Sequence, residues 1–430
     1  DGSRDALWMA TAVEGPTCAE LSADVECEIG VLGAGLTGLN AALELASKGI
    51  SVCVLEAETV GFGASGRSGG QVNLGLNLGP TQLLEKYGAE QGRRTVDAVI
   101  KTPTTVFERI EKYSLNCDPV QRGWIQGAIN DRTKAEQAAM VEDYANFGCD
   151  LSLVERAEMV ERVGTDFYTG GLLVPAAGTL QPLSYTRELA RVAQEKGVKI
   201  YTRSRVESLA KLDDGWRLQT LAGSVRCRQV LVCSNGYTDR AVHGLAQRVV
   251  PVRSILVASE PLSDDLRDTV LPGHLSFVDK RRLILYFRYD RHGRLCAGYH
   301  GPMRDAFRPS DFDLLKSKVS TIFPQLKNTR WDYHWGGRIA MTKDSLPFFS
   351  ELQPGLLACM GYNGRGVGMG TMMGINAARY LSGDCVDELA FPVTNPAKFL
   401  MHRFHKLGVN ASIAWFEVQE LLDGRPYSSV

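Results

Sequence analysis

The chain has 430 residues, of which 44% are hydrophobic and 23% charged, and its formal net charge is −1. Such a length suggests about two or three core-forming units of a globular protein. The balanced charge excludes a general attraction to nucleic acid or anionic lipid, so a charged partner must be met locally. No apolar run is long enough to span a bilayer and no signal-peptide pattern opens the chain, which makes the cytoplasm the default expectation.

Residues 28–60 read as one βαβ unit. EIGVL (28–32) is a short apolar strand. Leu36, Leu39, Leu43 and Ala46 then recur at helical spacing, with Gly49 as the stop. SVCVLE (51–56) is a second, nearly continuous apolar strand, as in a parallel sheet covered on both faces. A glycine-rich loop follows, from Gly61 to Gly79. Residues 81–165 read as mostly helical.

SYTRELARVAQEKG (184–197) is an amphipathic helix, followed by VKIYT, a strand pair around Asp213-Asp214-Gly215, and the strand QVLVC (229–233). Residues 247–340 carry alternating strands such as VVPVRSILVASE, RLILYFRY and RLCAGYHG. The strand–loop–helix pattern returns in GLLACMGYNGRGVGMG (355–370) and TMMGINAARYLSG. The expected fold is therefore α/β. A nucleotide-binding unit would be built from 25–80, 166–246 and 341–390, interleaved with a mixed-sheet unit from 81–165 and 247–340. Residues 391–430 form a C-terminal helical segment. Its stretch Lys398–Leu407 mixes Phe399, Phe404 and Leu407 with basic residues, which suits packing on the body of the protein or contact with a membrane surface.

Gly33-Ala34-Gly35-Leu36-Thr37-Gly38 fits G-x-G-x-x-G between a strand and a helix. Gly33 permits the tight turn, Gly35 lets the backbone approach a pyrophosphate, and Gly38 lets helix and strand lie close. The helix N-terminus adds free N–H groups and the positive end of a dipole. Glu56 ends the second strand, where a carboxylate can accept ribose hydroxyl protons, with Ala57 beside it. This fingerprint does not separate FAD from NAD, but two features do. The first is the loop after Glu56. Its residues Gly63, Ala64, Ser65, Gly66, Arg67, Ser68, Gly69, Gly70 and Gln71 can wrap a diphosphate and the edge of an isoalloxazine. A flexible surface loop would carry the same glycines, but Arg67 and Gln71 favour the binding role. The second is Gly361-Tyr362-Asn363-Gly364-Arg365-Gly366-Val367-Gly368, a strand-to-helix passage whose helix N-terminus can stabilise the charge of a reduced flavin. Close packing would explain some of these glycines, though not the polar Asn363 and Arg365. Val206, Ser234 and Asn235, around the later strands, complete the cofactor-binding candidates.

Rival chemistries are poorly served. Gly66-Arg67-Ser68-Gly69-Gly70 fits the G-x-S-x-G nucleophile elbow, but that elbow needs a strand directly before its Ser, where this chain has glycines. The ten cysteines include no Cys-x-x-Cys pair, and read as reduced, mostly buried thiols. The seven histidines include no H-E-x-x-H motif, and His402 and His405 read as surface or interface residues. No metal site is expected.

The segments GAGLTG (33–38), VLEAETVGFGASGRSGGQ (54–71), GGLLVPAAGTLQP (170–182) and GYNGRGVGMG (361–370) resemble the D-amino-acid-oxidase superfamily, which includes glycine oxidase and sarcosine oxidase. Within it, LWMATA (7–12) and WGGRIAMTKDSLP (335–347) are similar to a branch with bacterial γ-glutamylputrescine oxidoreductases and L-pipecolate oxidases. The resemblance implies a glutathione-reductase-like FAD domain and a mixed sheet roofing the flavin. It also implies hydride transfer from a C–H beside an amine nitrogen to flavin N5, hydrolysis of the resulting imine, and electrons usually passing to oxygen. Sarcosine-oxidase-like members attach FAD through a Cys near 335–347 and carry a Lys within 361–370. Neither is present here, Gly368 standing near the Lys position. Noncovalent FAD follows, with oxygen or another acceptor both open.

The candidate catalytic residues are Arg338, Tyr362 and Arg365. Arg338 stands near the carboxylate-binding Arg of amino-acid-oxidising relatives, where a guanidinium can grip a carboxylate by two hydrogen bonds; an ion pair with Asp344 is the alternative. Tyr362, Trp335, Tyr286 and Tyr299 are candidate walls, since the amine must react neutral although a free alkylamine has a pKa of ~10. The expected function is oxidation of the C–N bond of a small amine or amino acid. The competing readings are a flavoenzyme for a non-amine substrate and a noncatalytic FAD-binding subunit.

Overall fold

The structure is a computed structural model that describes residues 6–304 and 306–423. One sheet has six strands in the order Phe348–Gln353, Leu356–Met360, Gln229–Val232, Ile29–Leu32, Val52–Leu55 and Lys199–Tyr201. Only the first runs antiparallel to its neighbour. Every residue of Ile29–Leu32 and Val52–Leu55 is buried, which is why both read as unbroken apolar runs. The helix Leu36–Ser47 buries nine residues beside this sheet and packs along the sixteen-residue helix Gly366–Leu381.

Two glycines set those distances. A Cβ on Gly38 would lie 2.1 Å from the Gly33 carbonyl oxygen, and one on Gly374 would lie 2.6 Å from that of Thr37. The first fixes the helix against the strand that feeds it, and the second fixes the two helices against each other. A four-stranded sheet attaches to this unit: Val25–Glu26, Ser224–Cys227, Gly215–Gln219 and Ser208–Leu212. It includes the hairpin expected around Asp213–Gly215.

The second large sheet has eight strands, ordered Trp331–Met341, Val250–Pro261, Arg294–His300, Tyr286–Tyr289, Ser276–Asp279, Trp124–Ala128, Gly170–Val174 and Ser152–Glu155. The stretch 81–165 does form helices, at Pro80–Tyr87, Ala89–Ile100, Thr102–Lys112, Asp131–Ala145 and Arg156–Val163. It also supplies two strands that periodicity does not show. Trp124–Ala128 is buried at every position, so it has no alternation to read. Gly170–Val174, assigned from sequence to the nucleotide-binding unit, pairs antiparallel with it. Gly127 lies opposite Gly171, and a Cβ on Gly127 would come within 2.5 Å of the Phe277 ring. RLILYFRY is a strand only over its last four residues, and Asp313–Ile322 is a helix within the strand-rich stretch.

The helix His405–Leu422 closes the described chain; residues 424–430 of the expected C-terminal segment lie outside the described residues. All ten cysteines are free thiols, five of them buried. Among the described residues no His, Cys, Asp and Glu cluster could hold a metal ion, and no helix is long and apolar enough to cross a membrane.

Gly38→Ala should destabilise the protein by about 1–3 kcal/mol through overpacking. Gly408→Ala makes a matched control, because a Cβ there meets nothing within 4 Å. Thermal melts should show a clear fall for the first variant only; equal melting temperatures would contradict the close helix–strand contact.

Candidate functional site

A cavity of about 1640 Å³ runs from the fingerprint turn to the eight-stranded sheet. This exceeds the roughly 300–1,000 Å³ of most small-ligand sites, as a dinucleotide with a substrate beside it requires. At one end it is lined by Gly33, Ala34, Gly35, Leu36 and Thr37, by Glu56 and Ala57, and by Val206, Ser234 and Asn235. Gly33 holds φ at +110°, the turn that sends the chain from strand into helix. Leu36 N–H donates to Ser65 Oγ at 3.0 Å, and a Cβ on Gly35 would fall 2.8 Å from that oxygen. Each carboxylate oxygen of Glu56 accepts one backbone N–H, from Ala34 at 2.9 Å and from Glu58 at 3.0 Å. Burial pushes the Glu56 pKa up, with these two bonds opposing it. Each oxygen keeps a lone pair for a ribose hydroxyl.

The loop after Glu56 crosses from this end to the sheet. Gly63, Ala64, Ser65, Arg67, Ser68, Gly69, Gly70 and Gln71 all line the cavity. Three successive carbonyls of the loop are bound by core side chains. Trp335 Nε1 donates to Arg67 O at 3.0 Å, Trp8 Nε1 to Ser68 O at 2.8 Å, and Arg288 Nε to Gly69 O at 2.8 Å. Arg67 is buried, donates to Phe62 O at 2.7 Å and Gly336 O at 3.3 Å, and lies 4.6 Å over the Phe62 ring; burial lowers its pKa. Ser68 caps the four-residue helix Ala64–Arg67 and follows no strand, so the nucleophile-elbow geometry is absent.

The third wall is the passage into the helix Gly366–Leu381. Tyr362, Asn363, Gly364, Arg365, Gly366 and Val367 line the cavity, so two helix N-termini open onto one space. Two polar residues here do structural work that the sequence reading did not assign. Asn363, at φ +50°, donates to Gly361 O at 2.6 Å and accepts from Thr342 N–H at 2.9 Å. The Tyr362 hydroxyl is 2.6 Å from Thr37 Oγ1 and donates to Cys359 O at 3.2 Å, so it ties the helix Leu36–Ser47 to the strand Leu356–Met360 and leaves its ring for a ligand. Arg365 donates to Asn77 Oδ1 at 2.7 Å and Leu74 O at 2.6 Å; burial lowers its pKa. Gly38, Gly66, Gly361 and Gly368 do not line the cavity. They sit behind it at close contacts, Gly66 with a Cβ position 2.3 Å from Gly61 O, and Gly361 and Gly368 with Cβ positions 2.4 and 2.3 Å from the Cγ2 atoms of Thr342 and Thr102.

The sheet end is lined by Arg253, Ser254, Tyr286, Tyr299, His300 and Arg338. Arg338 lies directly opposite Arg253 on the neighbouring strand and stacks 5.3 Å from the Tyr237 ring centre. It does not pair with Asp344, which bonds Lys86 at 3.1 Å. Tyr286 bonds Ser254 Oγ at 3.1 Å, and burial pushes its pKa up to about 12. Trp335, expected as a wall, is instead fully buried against Trp8, because its indole N–H is needed by the loop. His300 was not singled out from sequence. Burial, with Lys318 nearby, lowers its pKa to about 4, and neither ring nitrogen has a partner among the described residues. A polar residue ending the apolar run RLCAGYH was the available signal. Tyr237 was also missed, although it follows the C-terminal end of a parallel strand, where α/β sheets bind ligands.

The profile of the family described as DAO, FAD dependent oxidoreductase, matches residues 28–380. The chain belongs to that family. It is 34% identical over 364 residues to a probable oxidoreductase OrdL of Haemophilus influenzae, covering 83% of each chain. It is 31% identical over 367 residues to the γ-glutamylputrescine oxidoreductase of Escherichia coli, covering 85% of each. In fold it is similar to glycine oxidase from Geobacillus kaustophilus, with a TM-score of 0.73 over 86% of this chain and 99% of that one at 18% identity. This protein is therefore an FAD-dependent oxidoreductase, with its flavin held noncovalently. The cavity fits that cofactor: a glycine cradle that a Cβ would fill, an acidic residue with free lone pairs, and two converging helix N-termini.

Glu56→Ala removes two acceptors and leaves the ribose hydroxyls unpaired, a loss of about 1–3 kcal/mol. FAD affinity, followed by flavin fluorescence on dilution, should fall at least several-fold. Unchanged retention would remove Glu56 from the binding set.

Proposed function

We propose that this protein oxidises the C–N bond of a small amine or amino acid bearing a carboxylate, and passes the electrons to oxygen or another acceptor. The observation that carries the reading is that Arg253 and Arg338, opposite each other on neighbouring strands, both line the sheet end of the cavity that begins at the dinucleotide fingerprint. The names of two similar proteins, a γ-glutamylputrescine oxidoreductase and a glycine oxidase, accord with such a substrate. In this reading the six-stranded unit holds the cofactor and the eight-stranded sheet holds the substrate.

FAD, when bound, supplies the acceptor for a hydride from the carbon beside the nitrogen. The residues of this chain bind, orient and set charge. Arg338 takes the carboxylate through its planar fork. Tyr286 and Tyr299 wall the apolar part of the substrate. His300, neutral above about pH 4, offers a ring nitrogen to accept an N–H of the amine. Burial that lowers the His300 pKa to about 4 and that of nearby Lys318 to about 8 also disfavours an ammonium, so the substrate loses its proton on entering.

Two measurements test this. Arg338→Met should raise KM strongly for a carboxylate-bearing substrate, by several kcal/mol of lost binding, and scarcely change it for the matching amine without a carboxylate. Equal loss for both would defeat the anchor role. The second measurement is kcat/KM against pH. It should rise through the neutral range as the free amine deprotonates, and His300→Gln should lower its level without moving that limb. A limb displaced in His300→Gln would mean that the imidazole itself titrates there.

A further inference from the structure

The C-terminal helix His405–Leu422 has two apolar faces. One, through Ile413 and Phe416, packs on the core of the eight-stranded sheet. The opposite face presents Leu407, Trp415, Val418, Leu421 and Leu422, all exposed, with Trp415 at 59% and Leu422 at 80%. The segment leading into the helix adds Leu400 at 100% and Met401 at 70% exposure. A helix that is apolar all round is ordinarily covered on both sides, and isolated exposed side chains differ from such a contiguous patch.

The charge around this face identifies what covers it. From Leu389 to Phe416 the sequence contains no Asp or Glu, while it holds Lys398, Arg403 and Lys406 together with His402 and His405. Of the two carboxylates within the helix, Glu420 is buried and accepts the Leu283 N–H, leaving Glu417 the exposed one. A protein with net charge −1 thus gathers cations, leucines and a tryptophan in one C-terminal stretch, with Lys398, Arg403 and Trp415 all exposed. A second copy packed across a two-fold axis near 398–406 would set these cations against themselves. An anionic lipid surface complements both the charge and the apolar side chains.

We propose that the exposed face of His405–Leu422, with Leu400 and Met401, docks on the surface of a bilayer containing anionic phospholipid. The helix lies along the interface without crossing it, its leucines and Trp415 among the acyl chains and Lys398 and Arg403 at the phosphates. Leu400, Met401 and Leu407 also border the cavity, so docking brings the site entrance to the lipid surface.

The test is sedimentation of the FAD-loaded protein with phosphatidylcholine vesicles, with and without phosphatidylglycerol. It should pellet with the anionic vesicles, less so as salt rises, and scarcely with phosphatidylcholine alone. The double variant Trp415→Glu, Leu422→Glu touches neither the cavity nor the core and should keep its flavin absorbance, yet lose about tenfold or more in vesicle affinity. Lys398→Gln with Arg403→Gln should weaken the preference for anionic lipid while leaving the apolar face intact. Absence of binding to anionic vesicles, or binding unaffected by the two glutamates, would overturn the proposal. So would a dimer in light scattering that the glutamate variant splits into monomers, since the face would then belong to a second copy.

Discussion

The site depends on the capture of three consecutive carbonyls, those of Arg67, Ser68 and Gly69, by Trp335, Trp8 and Arg288. Each donor belongs to a different part of the fold: the edge strand of the eight-stranded sheet, the N-terminal helix Leu7–Thr11, and an inner strand of the same sheet. A glycine-rich loop would otherwise sample many conformations, at an ordering cost of about 1–2 kcal/mol per residue. Here that cost is offset by buried hydrogen bonds. The arrangement also answers how Arg288 can be buried. Its guanidinium donates to Gly69 O, Leu180 O and Tyr289 O and lies 4.6 Å over the Trp8 ring. A buried cation without such partners would be strongly unfavourable. Loop and sheet therefore hold each other in place, and the cavity between them has a fixed shape.

That shape collects positive potential without a dense cluster of free cations. The helices Leu36–Ser47 and Gly366–Leu381 both begin at the cavity, and their N-terminal dipole ends add to the nearby arginines. Burial lowers the pKa of Arg67, Arg365 and His300. It is the same desolvation that strengthens the pull of each remaining charge on an anion. A diphosphate and a reduced flavin are both anionic, so one electrostatic design serves both parts of the cofactor, and it also suits the carboxylate of the proposed substrate.

How far this was legible in the sequence follows from what each signal encodes. The fingerprint, the Gly49 stop and the Asp213–Gly215 hairpin are local, and each folds where it was read. Trp124–Ala128 escaped because a strand buried on both faces and opposed by glycines has no period to detect. Trp335 escaped because a tryptophan in a motif does not declare whether its face or its N–H is in use. Tyr362 and Asn363 show the same limit. Their place in GYNGRGVGMG suggested chemistry, whereas their polar atoms brace Thr37, Cys359, Thr342 and Gly361. Sequence places residue types near a site; the hydrogen-bond partners decide which of them remain available to a ligand.

Arg253 and Arg338 illustrate the point in reverse. Like charges directly opposite on neighbouring strands destabilise a sheet, and the register places these two arginines opposite each other. Aromatic faces absorb part of the penalty, Phe307 at 5.2 Å from Arg253 and Tyr237 at 5.3 Å from Arg338. Each such contact contributes on the order of 0.5–2 kcal/mol, which moderates the repulsion. A carboxylate between the two would remove it, and its binding would gain both the new hydrogen bonds and the relieved repulsion. In the proposed function, this edge of the sheet is the wall at which a carboxylate substrate is told apart from an amine without one.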